Sequence, residues 1–199
     1  MTDLQQRGLR TDATADPLVA AAQRLAHDVL GGLDARWQHT QGVARRAAEA
    51  SPAVPEADRP ALLAAAWLHD IGYAEPLRRS GFHPLDGACY LQEHAWPDPV
   101  AGLVAHHSAA RFVAEVRGLA APLQAFPADR YASGPAADAL TYADQTTGPA
   151  GERMDVEDRM AGMLRRHGLD SPNARVHDQR APATRAAVHR TERSLSAGT

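Results

Sequence analysis

The stretch Leu62-Leu63-Ala64-Ala65-Ala66-Trp67-Leu68-His69-Asp70-Ile71-Gly72 decides how the rest of the chain is read. Leucine and alanine are strong helix formers, and Pro60 stands where a helix can begin, so the run reads as a helix. A helix apolar on every side belongs in a core. It nevertheless ends in an imidazole and a carboxylate. Burying a carboxylate costs several kcal/mol unless it is paired or bound to a metal. One histidine or aspartate at a helix end is ordinarily a cap or a satisfied polar group, but the two together on such a helix point to a metal. Imidazole and carboxylate ligands suit manganese, iron, zinc and related divalent ions, and a carboxylate can bridge two ions where an imidazole cannot. Asp70 is the bridge in this reading.

Working outward, Asp16-Pro17 is a cap followed by proline, and Leu18, Ala22, Leu25 and Val29 recur at helical spacing up to Gly31-Gly32. Asp34 is expected to cap a second helix that runs to about Ala50 and stops at Ser51-Pro52. Beyond the central helix, which Gly72 should end, His83-Pro84 opens another with His83 as its cap. Asp98-Pro99 repeats the device. That helix carries Val100, Val104 and His107 on one face, with His106 turned about 100° away. Residues 118–134 read as an irregular connection, and Pro135 starts a helix with Leu140, Tyr142 and Asp144. Val156, Met160, Met163 and Leu164 form an amphipathic stripe ended by Gly168. A last, more polar helix begins at Pro172 or Pro182 and carries Val188 and Leu195.

The fold expected is all-α. Aromatic residues make up only 5 % of the 199 residues, and abundant alanine favours close-packed helices over sheets. A chain of this length buries one sizeable core, so the organisation expected is a flexible N-terminus over 1–15, a domain over 16–168 and a helical extension over 169–199. The formal charge of −3 supplies no broad attraction to a nucleic-acid duplex or an anionic membrane. Cys89 alone can form neither an intrachain disulfide nor a thiolate zinc cluster, which fits a reducing cytoplasm. No signal-peptide core interrupts the polar N-terminus, and no stretch approaches the roughly 20 apolar residues of a membrane span.

Of ten histidines, the informative ones lie with two aspartates in five segments: His39, His69-Asp70, His83, His106-His107 and Asp144. The order His39, Leu68-His69-Asp70-Ile71-Gly72, then Leu140-Thr141-Tyr142-Ala143-Asp144 resembles the H…HD…D signature of the HD-domain superfamily of metal-dependent phosphohydrolases. The likeness spans about residues 20–165. It implies a helical bundle in which His39, His69, Asp70 and Asp144 hold one metal. The segment His83-Pro84-Leu85-Asp86-Gly87-Ala88 and the helix ending at His107 look like the added ligands of dinuclear members, which include diadenosine tetraphosphate hydrolases of the YqeK type and HD-GYP phosphodiesterases. This implies a second metal held by Asp70, His83 and one of the 106–107 pair. His107 is favoured, because it shares the apolar face and because Arg111 follows at the spacing where family members place a basic residue. His106 is then a supporting residue or a proton donor. Tyr73 stands where HD-GYP proteins usually have lysine, and no GYP triplet follows, which disfavours cyclic dinucleotides.

The resemblance thus implies a phosphohydrolase using one or two divalent ions (iron, manganese, cobalt, nickel or zinc) to activate water against a small phosphorylated substrate, a nucleotide in the first instance. Asp70 and His106 are the expected catalytic residues. Arg111 is read as a phosphate contact or a surface arginine, and Thr146 and Thr147 as substrate contacts or backbone caps. Two other functions stand beside it: a mixed-valent di-iron oxygenase of the same superfamily, and a non-catalytic module that binds a nucleotide or a metal. Trp37, Trp67, Met160 and Met163 read as core, and His27, His94, His167, His177 and His189 as surface or packing residues. The loops 73–82 and 112–134, where substrate recognition is expected, carry no interpretable motif.

Overall fold

Asp16 caps the first helix as expected, its side chain accepting from the Leu18 backbone N–H at 2.8 Å, and Pro17 takes the first helical position. A computed structural model describes residues 16–168 and 170–198; the stretch 1–15 set apart by its sequence lies outside the described residues. Helix α1 (Pro17–Leu30) leads to α2 (Asp34–Ala50) and to the central α3 (Arg59–Leu68). After two short 3₁₀ turns come α4 (His83–Glu93), α5 (Asp98–His106) and α6 (Ala110–Val116). The irregular connection contains the short helices α7 (Ala120–Leu123) and α8 (Ala128–Tyr131). Then follow α9 (Pro135–Gln145), α10 (Val156–His167), α11 (Pro172–Arg175) and α12 (His177–Ala197). The fold is a single all-α domain, and among the described residues the only extended pairing is an isolated bridge between Thr147 and Arg153.

Three expected caps move by one residue. Leu33, Phe82 and Pro97 occupy the cap positions, while Asp34, His83 and Asp98 are the first residues of their helices. Proline is tolerated throughout the first turn because its missing N–H would have no partner there, so Pro84 and Pro99 fit one position further in. The aspartates still favour the helix starts through the macrodipole.

Helix α3 is the axis of the domain, packed by α1, α2, α5 and α9. Leu62, Ala64, Ala65, Ala66 and Leu68 are buried, and burial of each leucine contributes about 1.5–3 kcal/mol. Its alanines let the surrounding helix backbones approach closely. The helix ends at Leu68, with His69 as its cap and Asp70 in the following turn, four residues before the expected stop at Gly72. The end of α3 therefore opens its polar pair toward the surrounding helices. Helix α12 is pinned to α9 by Arg190, whose Nε and a terminal nitrogen each donate to the Asp138 carboxylate at 2.7 Å.

One close backbone approach sets the distance between Asp70 and α4. A Cβ at Gly72 would lie 2.2 Å from the His83 carbonyl oxygen and 2.8 Å from the Gly87 nitrogen. The 3₁₀ turn Ile71–Tyr73 thus lies directly on the first turn of α4, which brings His83 beside Asp70. Gly72→Ala is expected to lower stability by about 1–3 kcal/mol by forcing this contact apart. Gly32→Ala, whose Cβ would meet nothing within 4 Å, should change it by less than about 0.5 kcal/mol. Urea unfolding of the two variants checks both.

Candidate metal centre

The six residues expected as metal ligands come from five parts of the fold and converge on the end of α3. His39 projects from the middle of α2, His69 and Asp70 end α3, His83 begins α4, His107 follows α5, and Asp144 lies near the end of α9. His69 is fully buried and Asp70 is 3 % exposed. Asp70 turns its oxygens to two different groups. Its Oδ2 lies 3.3 Å from His69 Nε2 and 3.9 Å from His39 Nε2, whereas Oδ1 lies 3.3 Å from His83 Nε2. His83 Nε2 is in turn 3.2 Å from His107 Nε2. Two three-residue groups with metal-binding spacing result, His39 with His69 and Asp70, and Asp70 with His83 and His107, sharing the one carboxylate.

Backbone carbonyls orient the rings. Nδ1 of His39, His69 and His107 donates to the carbonyls of Gly148, Ala66 and Val104 at 3.1, 2.9 and 2.7 Å. A carbonyl only accepts, so in each neutral ring the proton is on Nδ1 and the Nε2 lone pair faces inward, the usual support of a metal-binding histidine. For His69 the consequence is sharp. Its Nε2 is buried and makes no well-aligned hydrogen bond, so in the neutral ring a lone pair confronts the Asp70 carboxylate. Such an arrangement calls for positive charge, a proton on the ring or a bound cation, and the donor set of imidazoles around a carboxylate fits a first-row divalent metal.

The electrostatics agree. Burial opposes the His69 cation, yet the Asp70 carboxylate, together with Asp144 and the Ala66 carbonyl, outweighs it and raises the imidazole above its usual value. Burial likewise opposes the charged form of Asp70 and Asp144. Nevertheless His69 and Arg36 hold Asp70 well below the carboxylate range, and His39 and Arg159 do the same for Asp144. Burial pushes the His83 and His107 imidazoles down against the opposing Asp70 carboxylate, with Arg36 acting in the same direction on His83 and His69 on His107, so both present neutral nitrogens. Asp144 lies 3.1 Å from His39 Nε2 through Oδ1, and its Oδ2 accepts from the Ser108 hydroxyl and from Gln145 Nε2. It adjoins the first group without belonging to either three-residue set.

Above the cluster opens a cavity of about 290 Å³ lined by Asp70, His83, His107 and Asp144 and by four arginines, Arg36, Arg159, Arg166 and Arg180. Arg36 donates to Asp70 Oδ2 at 2.6 Å, and its guanidinium lies 4.0 Å over the Tyr73 ring. Tyr73 also stacks on His83, at 4.0 Å between centroids, which holds that imidazole in place. Burial, followed by the Asp70 charge, pushes the Tyr73 phenol up to about 12, so it keeps its proton at neutral pH. Arg159 reaches Asp144 Oδ1 at 3.4 Å.

Four expected site residues are not brought to this cavity. The helix that should have carried His107 breaks there: His107 has extended backbone, and Ser108 and Ala109 follow with φ of 52° and 56°. Two successive non-glycine residues in the left-handed region are costly, of order 1–3 kcal/mol each. This kink turns His107 and Ser108 inward and rotates the next helix, so that Arg111 is exposed and packs over its neighbour Phe112. His106 points elsewhere, its Nε2 bonded to the Phe126 carbonyl at 2.7 Å, and it lines a separate pocket with Arg111. His106 and Arg111 thus lie outside the cavity above the Asp70 cluster. Thr146 and Thr147 direct their hydroxyls to the carbonyls of Tyr142 and Ala143, each at 2.7 Å, and so are backbone caps. Met163, read as core, and His167, read as a surface or packing residue, line the cavity. Arg36, Arg159 and Arg180 were not foreseen. Only Arg36 carried a signal, one helical turn before His39 on the same helix.

A helical domain closing on a buried histidine–aspartate cluster with shared-carboxylate geometry defines the class of proteins to which this chain belongs. The HD domain family profile matches residues 36–160, more than half of the chain, and the protein is a member of that family. Searches of curated proteins and of solved structures return no significant match. No described helix is long and apolar enough to cross a membrane.

Replacing the shared carboxylate tests the centre without emptying its space. Asp70→Asn is expected to abolish measurable Mn²⁺ binding in isothermal titration, while His106→Gln and Arg111→Ala leave it unchanged.

Proposed function

We propose that the protein is a metal-dependent phosphohydrolase of the dinuclear branch of its family, acting on a small phosphorylated metabolite, with nucleotides as the first class to test. The observation that carries this reading is the division of Asp70 between two histidine groups at the floor of an arginine-lined cavity. His39, His69 and Asp70 would hold one ion, supported by Asp144, and Asp70, His83 and His107 the other. Iron, manganese, cobalt, nickel and zinc all suit such ligands. Bound divalent ions would supply acidified water and offset negative charge on a phosphoryl group.

The chain's own residues supply the rest. Arg36 and Arg159 flank the carboxylates and offer their remaining N–H donors to phosphate oxygens, contacts strengthened by charge and by planar geometry. Ser108 and Gln145 fix Asp144 from behind, leaving Oδ1 directed at His39. The Tyr73 hydroxyl, kept protonated, can donate but not accept a proton at neutral pH. Phe82, Pro84 and Val113 form the apolar wall against which the non-phosphate part of a ligand packs. A volume of about 290 Å³, at the lower end of the roughly 300–1,000 Å³ of small-molecule sites, favours a metabolite over a macromolecule.

The test is anaerobic phosphate release from a panel of nucleotides, dinucleoside polyphosphates and sugar phosphates, with Mn²⁺ or Co²⁺. Turnover is expected, lost in Asp70→Asn. In His83→Ala, metal content by elemental analysis should fall from about two to about one per chain. Oxygen consumption by iron-loaded protein without phosphate release would instead place it with the oxygenases, and tight nucleotide binding without turnover would make it a binding module.

A further inference from the structure

The charges around the cavity do not balance. Asp70 and Asp144 are the only carboxylates among its lining residues, and each is engaged by one arginine, Arg36 and Arg159. Arg166 and Arg180 remain. Arg166, at the exposed rim on α10, makes no ion pair with a described residue, and partial burial followed by Arg159, Arg36 and Arg165 disfavours its charge. Arg180, half-buried on α12, spends its Nε on the Ser108 carbonyl at 2.8 Å, which leaves four of the five guanidinium N–H donors unspent. A guanidinium cannot discharge by losing its proton, so like charges gathered around one cavity favour an anion there. Asn173, on α11, adds a neutral donor to the same wall.

The position of this group relates it to the metal centre. Ser108 accepts from Arg180 with its carbonyl and donates to Asp144 with its hydroxyl, so one residue separates Arg180 from the floor of the site. Arg166, Asn173 and Arg180 also all lie beyond the family-matched segment, which ends at residue 160. The common part of the fold supplies the centre, and the C-terminal helices of this chain supply the additional charge.

We propose that Arg166, Asn173 and Arg180 form a second anion subsite that takes the phosphate adjoining the one held at the Asp70 cluster, so that the ligand class is a small molecule carrying a phosphoanhydride-linked diphosphate. The assignment of the reacting phosphate rests on the hydrolase reading, whereas the subsite itself requires only binding.

The experiment is calorimetric titration of full-length, Mn²⁺-loaded protein with inorganic phosphate and with methylenebisphosphonate, a diphosphate mimic that cannot be hydrolysed, with metal content measured before and after. The bisphosphonate is expected to bind at least about tenfold more tightly than phosphate, the gain of one or more charge-assisted hydrogen bonds. Arg166→Gln and Arg180→Gln should each remove about that factor for the bisphosphonate, while changing phosphate affinity and manganese content less than about twofold. Arg166 is exposed and makes no carboxylate pair, so its variant reports on the ligand and not on folding. Equal affinity for the two probes, or bisphosphonate binding indifferent to both substitutions, would overturn the subsite, even if phosphoesters are turned over. Arginine-dependent bisphosphonate binding in a protein that hydrolyses nothing would sustain the subsite and reject the hydrolase reading.

Discussion

A single buried carboxylate organises this molecule. Asp70 is almost inaccessible to water, and its charge is tolerated only because imidazoles and a guanidinium surround it. Removing such a carboxylate from water costs several kcal/mol, and the return depends on cations placed within a few ångströms on either side. The helices are arranged to make that placement. Helix α3 delivers the carboxylate, Gly72 lets the next turn lie on α4 so that His83 reaches it, and α2 brings Arg36 and His39 from the opposite direction. Alanine at the α3 interfaces allows these elements to come near enough for their polar side chains to meet.

The orientation of the rings follows from ordinary helix geometry. The ends of α3 and α5 leave carbonyl groups without intrahelical partners, and those of Ala66 and Val104 accept the Nδ1 protons of His69 and His107. Each helix end thereby aims the opposite nitrogen at the centre. The left-handed residues Ser108 and Ala109 belong to the same device, since they end α5 abruptly enough for His107 to turn inward and for Ser108 to hold Asp144. Local backbone strain at this point is the cost of a convergent site.

Much of this was legible in the chain itself. An apolar helix ending in His69-Asp70 is informative because burial makes its polar end conspicuous, and the prolines at 17, 84, 99 and 135 mark helix starts to within a residue. The break after α5 was not legible. Neither glycine nor proline stands at 107–109, so helical spacing extends smoothly through His107 to Arg111 and assigns Arg111 a place it does not occupy. Arginines on amphipathic helices are ordinarily solvated, and nothing in the local pattern separates Arg159 or Arg180 from the others. Their placement at the cavity depends on tertiary contacts between α9, α10, α11 and α12, which no local period encodes.

Anomalous diffraction from crystals of the full chain grown with Mn²⁺ tests the shared carboxylate most directly. The account predicts anomalous peaks on both sides of Asp70, one against His39 and His69 and the other against His83 and His107. A manganese bound away from Asp70, or density on one side alone with His83 and His107 hydrogen-bonded to each other, would contradict it.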